Sequence, residues 1–221
     1  MAVAFGSLLT SGGTATTSAI TTASITPTVG RLTIFTFFFR SNTNAGITVT
    51  GTNGWNVTWN QISVTNYAGT EQQIWWAYPS SGTAGTITAG TASGANDALW
   101  AVQTFSGVDT TAPIVQSNYA NGSSTSLSVT LGSAIGANNA VFGYGYRSSA
   151  VTFTPGSGFT EIVDTSGSIN RTISTEYDLS SPSTTITQTI SVTGSWAIMG
   201  LELQVYVPPA TSSDGNFFQL F

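Results

Sequence analysis

Carboxylates are the chemically active side chains that this sequence offers most clearly, and Glu176 and Asp178 form the most suggestive pair. They alternate around Tyr177 in a strand-like stretch, so both side chains are predicted on one face of a strand. Carboxyls two residues apart on a strand are separated by about 7 Å, which is within the range that glycosidases use. We favour a solvated strand face over a calcium site or a catalytic pair, because a similar strand earlier in the chain carries Trp76 and Tyr78 instead.

Most other catalytic mechanisms need residue types that this chain lacks. It has no histidine, cysteine or lysine, which excludes Ser-His-Asp and Cys-His catalysis, the common zinc sites and Schiff-base chemistry. No calcium loop of the Asp-x-Asp-x-Asp-Gly type is present. Four other carboxylates are most simply turn or edge residues: Asp97, Asp109, Glu161 and Asp164. The sequence therefore predicts no enzyme, no metal site and no cofactor.

Six tryptophans are the remaining candidates for contacts with a ligand or partner. Trp100 and Trp196 lie in strongly apolar stretches and are predicted to be core residues. The other four are candidates for a sugar-stacking platform or a subunit contact: Trp55, Trp59, Trp75 and Trp76. Because strand side chains alternate, one of the two adjacent rings should face inward and the other outward. We favour a subunit contact over a glycan contact for the outward ring.

The elements that must position these residues occur twice. Residues 39–55 read Phe-Arg-Ser, then a Val-Thr strand, then Gly-Trp; residues 146–159 read Tyr-Arg-Ser, a Val-Thr strand and Gly-Phe. The two arginines, Arg40 and Arg147, are predicted to cap carbonyls or to pair with an edge carboxylate. Each half closes on an apolar strand, at 98–105 and 196–203. Turn-forming dipeptides include Asn53-Gly54 and Asn121-Gly122.

Period-2 patterns without helical periodicity predict an all-β fold. We expect an antiparallel β-sandwich, jelly-roll-like, built from two pseudo-repeated halves that share a core; two independent tandem sandwiches are the alternative. The predicted division is an N-terminal arm or edge extension at 1–19, a sandwich at 20–206 and a C-terminal arm at 207–221. The pseudo-repeats fall at about 20–112 and 113–206.

The C-terminal arm combines a polar spacer with an apolar end. Pro208 and Pro209 stop the last strand, and the predicted anchor is Phe217, Phe218, Leu220 and Phe221. The anchor either folds back onto its own sandwich or docks on another chain, and we favour docking. Burial of its apolar area would contribute roughly 25 cal/mol per Å².

Composition restricts the partners further. Charged residues make up 6% of the 221 residues and the net charge is −5, so no basic patch is available for nucleic acid. The most apolar run, Leu32–Phe39, is far shorter than the roughly 20 residues that span a bilayer. The first residues have no basic n-region, so no secretory signal peptide is expected.

The repeated order of Arg-Ser, a Val-Thr strand and a Gly-aromatic pair, with Gly107-Val108-Asp109 closing the first half, resembles a known family. It is similar to the repetitive Thr/Gly-rich β-sandwich proteins of tailed-phage virions and bacterial surfaces, over about residues 20–206. The resemblance implies a homo-oligomeric structural virion protein, a capsid decoration (cement) or head or tail fibre component. Its partners would be capsid or tail proteins, and it would be made in the bacterial cytoplasm. The alternative function is an extracellular or cell-surface adhesin module that binds carbohydrate through exposed tryptophans.

Overall fold

Twelve strands make up almost all of the regular structure in the described part of the chain. A computed structural model describes residues 2–40, 46–67, 69–166, 170–180 and 182–209. The strands of the first half are β1 (Ala4–Thr21), β2 (Leu32–Arg40), β3 (Thr48–Gly51), β4 (Asn60–Tyr67), β5 (Thr70–Ala77) and β6 (Ile87–Ser106). Those of the second half are β7 (Ile114–Thr130), β8 (Ala140–Arg147), β9 (Phe153–Pro155), β10 (Thr160–Thr165), β11 (Thr172–Asp178) and β12 (Thr185–Leu203). A 3₁₀ turn spans Asn53–Trp55.

The two halves have the same topology. The first sheet has the order β1-β6-β2-β5-β4 with β3 also on β6, and the second has the order β7-β12-β8-β11-β10 with β9 also on β12. Every named pairing is antiparallel. Each strand of the first half therefore has a counterpart in the second, which confirms the predicted all-β sandwich of two repeated halves. This order is compatible with a jelly-roll-like arrangement.

One long strand in each half pairs with different partners along its length. The C-terminal part of β6 pairs with β2, and its N-terminal part, Ile87–Gly90, pairs with β3. Likewise β12 pairs with β8 through Trp196–Leu203 and with β9 through Gln188–Ile190. Each half contains a buried apolar cluster of its own, to which residues of these paired strands contribute.

Alternation along the strands fills these two inner cores. In the first half, Phe35, Phe37 and Phe39 of β2 are buried together with Val49 and Ile87. In the second half, one cluster contains buried apolar side chains from four strands, β7, β8, β9 and β12. Burial of such side chains contributes roughly 1.5–3 kcal/mol each before ordering costs.

The opposite faces of the same sheets pack against each other. Ile34, Phe38 and Leu99 from the first half belong to one buried cluster with Tyr144 and Leu201 from the second. The halves thus share a core, as expected, in addition to having one each. The edges meet reciprocally, because β4 contacts β7 and β1 contacts β10. This reciprocity is the signature of an isologous, dimer-like interface within one chain.

Two local predictions change in the structure. Most of residues 1–19, predicted as an arm or edge extension, lies in edge strand β1, the counterpart of β7. The predicted turn at Asn121-Gly122 lies inside β7, where Gly122 is opposite Trp196. A Cβ on Gly122 would lie 2.6 Å from the Trp196 ring, and a Cβ on Gly12 would lie 2.7 Å from Trp100. Both glycines therefore leave space for a tryptophan on the neighbouring strand.

Candidate functional site

The predicted carboxylate pair lies inside the protein and not on a solvated face. Glu176 is completely buried and Asp178 is 5% exposed, so the expectation of a solvated strand face is wrong. Asp178 accepts hydrogen bonds from the backbone N–H (2.9 Å) and the hydroxyl (3.3 Å) of Ser180.

The space for Glu176 is made by glycine on the neighbouring strand. A Cβ on Gly143, its cross-strand partner in β8, would lie 3.0 Å from the Glu176 Cγ atom. Among the described residues no group makes a well-formed hydrogen bond to either carboxyl oxygen. Burial therefore raises the pKa of Glu176 to about 8, although the nearby Gln188 amide and Gly156 N–H oppose the increase. Glu176 is consequently a protonated interior acid at neutral pH.

A second acid with a raised pKa, Asp164, is partly buried on β10. Asp164 accepts a hydrogen bond of 2.8 Å from the backbone N–H of Phe153. Burial raises its pKa to about 6, against the effect of that hydrogen bond, and the charge of Glu161 adds to the increase. Within the described residues, no three metal-binding side chains converge.

The first half contains a polar cluster that the sequence reasoning missed. The Gln73 amide donates to Glu71 Oε1 at 2.6 Å, and the Gln61 amide donates to Gln73 Oε1 at 3.0 Å. These side chains line a pocket of about 430 Å³ beside Ile47 and Val64. Desolvation raises the pKa of Glu71, and the Gln73 hydrogen bond limits the increase. The signal in the sequence is the alternation of Glu71, Gln73 and Trp75, which places polar groups on the inward face.

Another buried carboxylate, Glu202, organises the loop before β8. Its oxygens accept hydrogen bonds from the Gly136 N–H (2.7 Å) and from the side-chain amides of Asn139 and Gln116 (both 2.6 Å). These three hydrogen bonds compensate for the removal of the Glu202 carboxylate from water, so its burial has a structural explanation.

Two of the four candidate tryptophans are core residues. Trp55 is fully buried and Trp59 is 7% exposed, and the two rings stack with centroids 6.1 Å apart. The Trp55 indole donates to the Ile25 carbonyl at 3.0 Å. Neither ring is available to a ligand or subunit. Trp196 is buried as predicted, while Trp100 is partly buried against the first inner core.

Trp75 and Trp76 face opposite sides of their sheet, as alternation requires, and both are partly buried. Trp75 packs against the first inner core and donates its indole N–H to Gln73. Trp76 packs at the margin of the shared core. Of the four candidate rings, Trp76 lines a surface groove, whose volume is about 630 Å³ and which also includes Asn56, Asn60 and Tyr78.

The arginines take the two structural roles predicted for them. Arg147 donates to the carbonyls of Thr193 (2.9 Å) and Ser195 (3.4 Å). Arg40 forms an exposed ion pair of 3.7 Å with Asp97. Arg171 connects the halves, because its Nε atom is 3.1 Å from the Asp97 carboxylate.

Edge strands β1 and β7 are long and have no charged or proline residue in 18 and 17 residues respectively. No other described strand pairs with their outer edges. The opposite edges differ: β4 is 8 residues long, and β10 carries Glu161 and Asp164 and contains a register shift. Val115 and Tyr119 of β7 are 49% and 50% exposed. Charge, proline, short length and β-bulges protect strand edges against pairing. β1 and β7 lack the first three; β1 has three register shifts, and β7 has two, neither of them between Gln116 and Gly122.

The predicted C-terminal anchor, Phe217, Phe218, Leu220 and Phe221, lies outside the described residues. Described structure ends at Pro209, after an isolated bridge between Val205 and Val108. No helix in the described ranges is long and apolar enough to cross a membrane.

Comparison with known protein families, curated proteins and solved structures gave no match.

Proposed function

We propose that this protein is a structural virion component of a tailed bacteriophage, a capsid decoration or head or tail fibre protein that acts through protein–protein contacts. The observation that carries the assembly part of the proposal is the unprotected outer edge of β7. The virion part rests on the repeated sequence pattern and its family resemblance. On this proposal the protein has no catalytic activity.

The outer edge of β7 favours assembly because of its backbone groups and its neutral side chains. From Gln116 to Gly122, β7 pairs with β12 without a register shift, so its outer edge presents a row of backbone groups. Within this segment the Tyr119 N–H donates to Asn118 Oδ1 and the Gly122 carbonyl accepts a hydrogen bond from the Tyr67 hydroxyl. Such a row can accept an additional strand by β-augmentation. The exposed side chains beside it, including Ser117, Tyr119 and Asn121, are neutral, and so they do not repel an incoming strand.

The partner proposed for this edge is a second copy of the chain. The uncharged edge of one copy suits the uncharged edge of another, and β1 provides a topologically equivalent edge on the same molecule. Two edges per chain allow copies to join in series, as a fibre or lattice protein requires. The apolar C-terminal residues 217–221 would strengthen each contact, because linked weak contacts increase avidity.

Two lysines on the edge test this proposal. Ser117→Lys with Tyr119→Lys adds like charges at exposed positions of β7, and we expect it to prevent self-association without unfolding the chain. Ala134→Lys with Ala137→Lys adds the same charge to an exposed loop and should leave association intact. Sedimentation velocity over a concentration series measures both. The proposal fails if the β7 variant and the loop variant associate equally, or if the unmodified chain remains monomeric.

Deletion of 208–221 tests the contribution of the tail separately. The truncated chain should remain folded but associate more weakly in the same sedimentation series. Association at unchanged strength would assign the tail to its own sandwich.

A further inference from the structure

Comparison of the two halves identifies one surface position, Trp76, whose surroundings differ from those of its counterpart. Trp76 is opposite Asn60, the first residue of β4, and Tyr177 is opposite Thr160, the first residue of β10. The two aromatic side chains are therefore counterparts. Tyr177 is covered by Phe5, whose ring stacks on it with centroids 4.9 Å apart and planes at 15°.

No equivalent stacked ring covers Trp76 among the described residues. The Tyr78 ring meets the Trp76 ring edge-on, with centroids 6.0 Å apart and planes at 77°. The open groove of about 630 Å³ lies at this position. The repeat thus fills the site in one half with Phe5 and leaves it open in the other, which the fold alone does not require.

The groove combines an aromatic ring with neutral hydrogen-bonding groups. Asn56, Asn60, Ser80 and Thr110 line it together with Trp76. None of the described lining residues is charged. The Tyr78 hydroxyl is already used, because it donates to the Asp109 carbonyl at 2.9 Å and so fixes the connection between the halves beside the groove.

We infer that this groove binds a neutral saccharide, with a sugar ring against Trp76. An indole face offers an apolar surface to the C–H groups of a pyranose. Side-chain amides both donate and accept, which matches vicinal hydroxyl groups. A phosphate, carboxylate or ammonium ligand would find no opposite charge in the lining. This inference does not depend on self-association, since the groove and the β7 edge are different surfaces.

The test is an array of neutral oligosaccharides of glucose, galactose, mannose and N-acetylglucosamine, followed by titration calorimetry with the best one. Trp76→Ala should weaken binding at least tenfold, and Trp76→Phe should retain part of it. Tyr119→Ala removes an exposed aromatic ring from β7 and should bind like the unmodified chain. The double variant Asn56→Ala, Asn60→Ala retains the Trp76 ring and should also weaken saccharide binding. It tests the inference if Trp76→Ala fails to fold.

Two results would overturn the inference. One is that the unmodified chain binds no oligosaccharide on the array. The other is that the Trp76 or double-asparagine variants bind as tightly as Tyr119→Ala. Sedimentation of the Trp76 and double-asparagine variants should be unchanged, so a negative glycan result leaves the assembly proposal standing.

Discussion

Replacement of Glu176 by Gln should change the pH dependence of stability. The side chain is fully buried, and its pKa in the folded protein is about 8 against an ordinary value of 4.5. Between these two pH values the folded state keeps a proton that the unfolded state releases. The free energy of unfolding therefore falls as pH rises through this window, and the contribution of the group is fully present below pH 4.5.

The size of the effect follows from the separation of the two pKa values. At about 1.4 kcal/mol per pH unit, the loss between the two limits is on the order of 5 kcal/mol. Gln keeps the shape of the acid without its charge. Its amide can also donate to Gln188 Oε1, an acceptor with no hydrogen-bond partner among the described residues. The variant should match the unmodified chain near pH 4 and become progressively more stable than it up to about pH 8.

Urea unfolding at a series of pH values measures this difference. Asp164, with a pKa of about 6, contributes a decrease of its own to both proteins, so the difference curve is the quantity to compare. Glu161→Gln is the matched control, because Glu161 is exposed and directly opposite Glu176 on β10. The Glu161→Gln control should retain most of the decrease in the free energy of unfolding between pH 5 and pH 8. Parallel curves for Glu176→Gln and the unmodified chain from pH 5 to pH 8 would refute the reasoning.

Two further predictions concern packing and the contact between the halves. Gly122→Ala places a Cβ 2.6 Å from the Trp196 ring and should destabilise the fold by about 1–3 kcal/mol. Gly132→Ala, whose nearest neighbour would be 3.8 Å away, is the control, and equal melting temperatures for the two variants would contradict the packing argument. Arg171→Met removes the 3.1 Å contact with Asp97 and a 2.8 Å hydrogen bond to the Tyr146 hydroxyl, so chemical unfolding should show a loss of about 1–3 kcal/mol. Arg40→Met breaks an exposed pair of 3.7 Å and should cost less than about 1 kcal/mol; the reverse order would be inconsistent with the structure.

The sequence predicts the repeat and the strands well because the same order of local sequence motifs occurs in each half. It does not predict which way each side chain points in β2, where all eight residues from Leu32 to Phe39 are buried. With both faces covered, apolar alternation disappears. The sequence echo aligns Phe39 with Tyr146, yet Phe39 belongs to an inner core and Tyr146 to the shared core.

The interior position of Glu176 could not be read from its own strand. Carboxylates are seldom buried, and the space for this one is provided by Gly143, more than 30 positions earlier in the chain. The same holds for Asn121-Gly122, whose turn propensity is overridden by the packing of Trp196 against Gly122. Such pairings depend on strand register, which local sequence does not determine.

Hydrogen–deuterium exchange of β7 tests the central claim, that this edge joins copies of the chain. The comparison is between the assembled unmodified chain and the Ser117→Lys, Tyr119→Lys variant, with the Ala134→Lys, Ala137→Lys variant as control. Outward-facing amides between Gln116 and Gly122 should exchange slowly in the assembled chain and the control, and quickly in the edge variant. Equal, fast exchange of these amides in all three proteins would contradict pairing at the β7 edge.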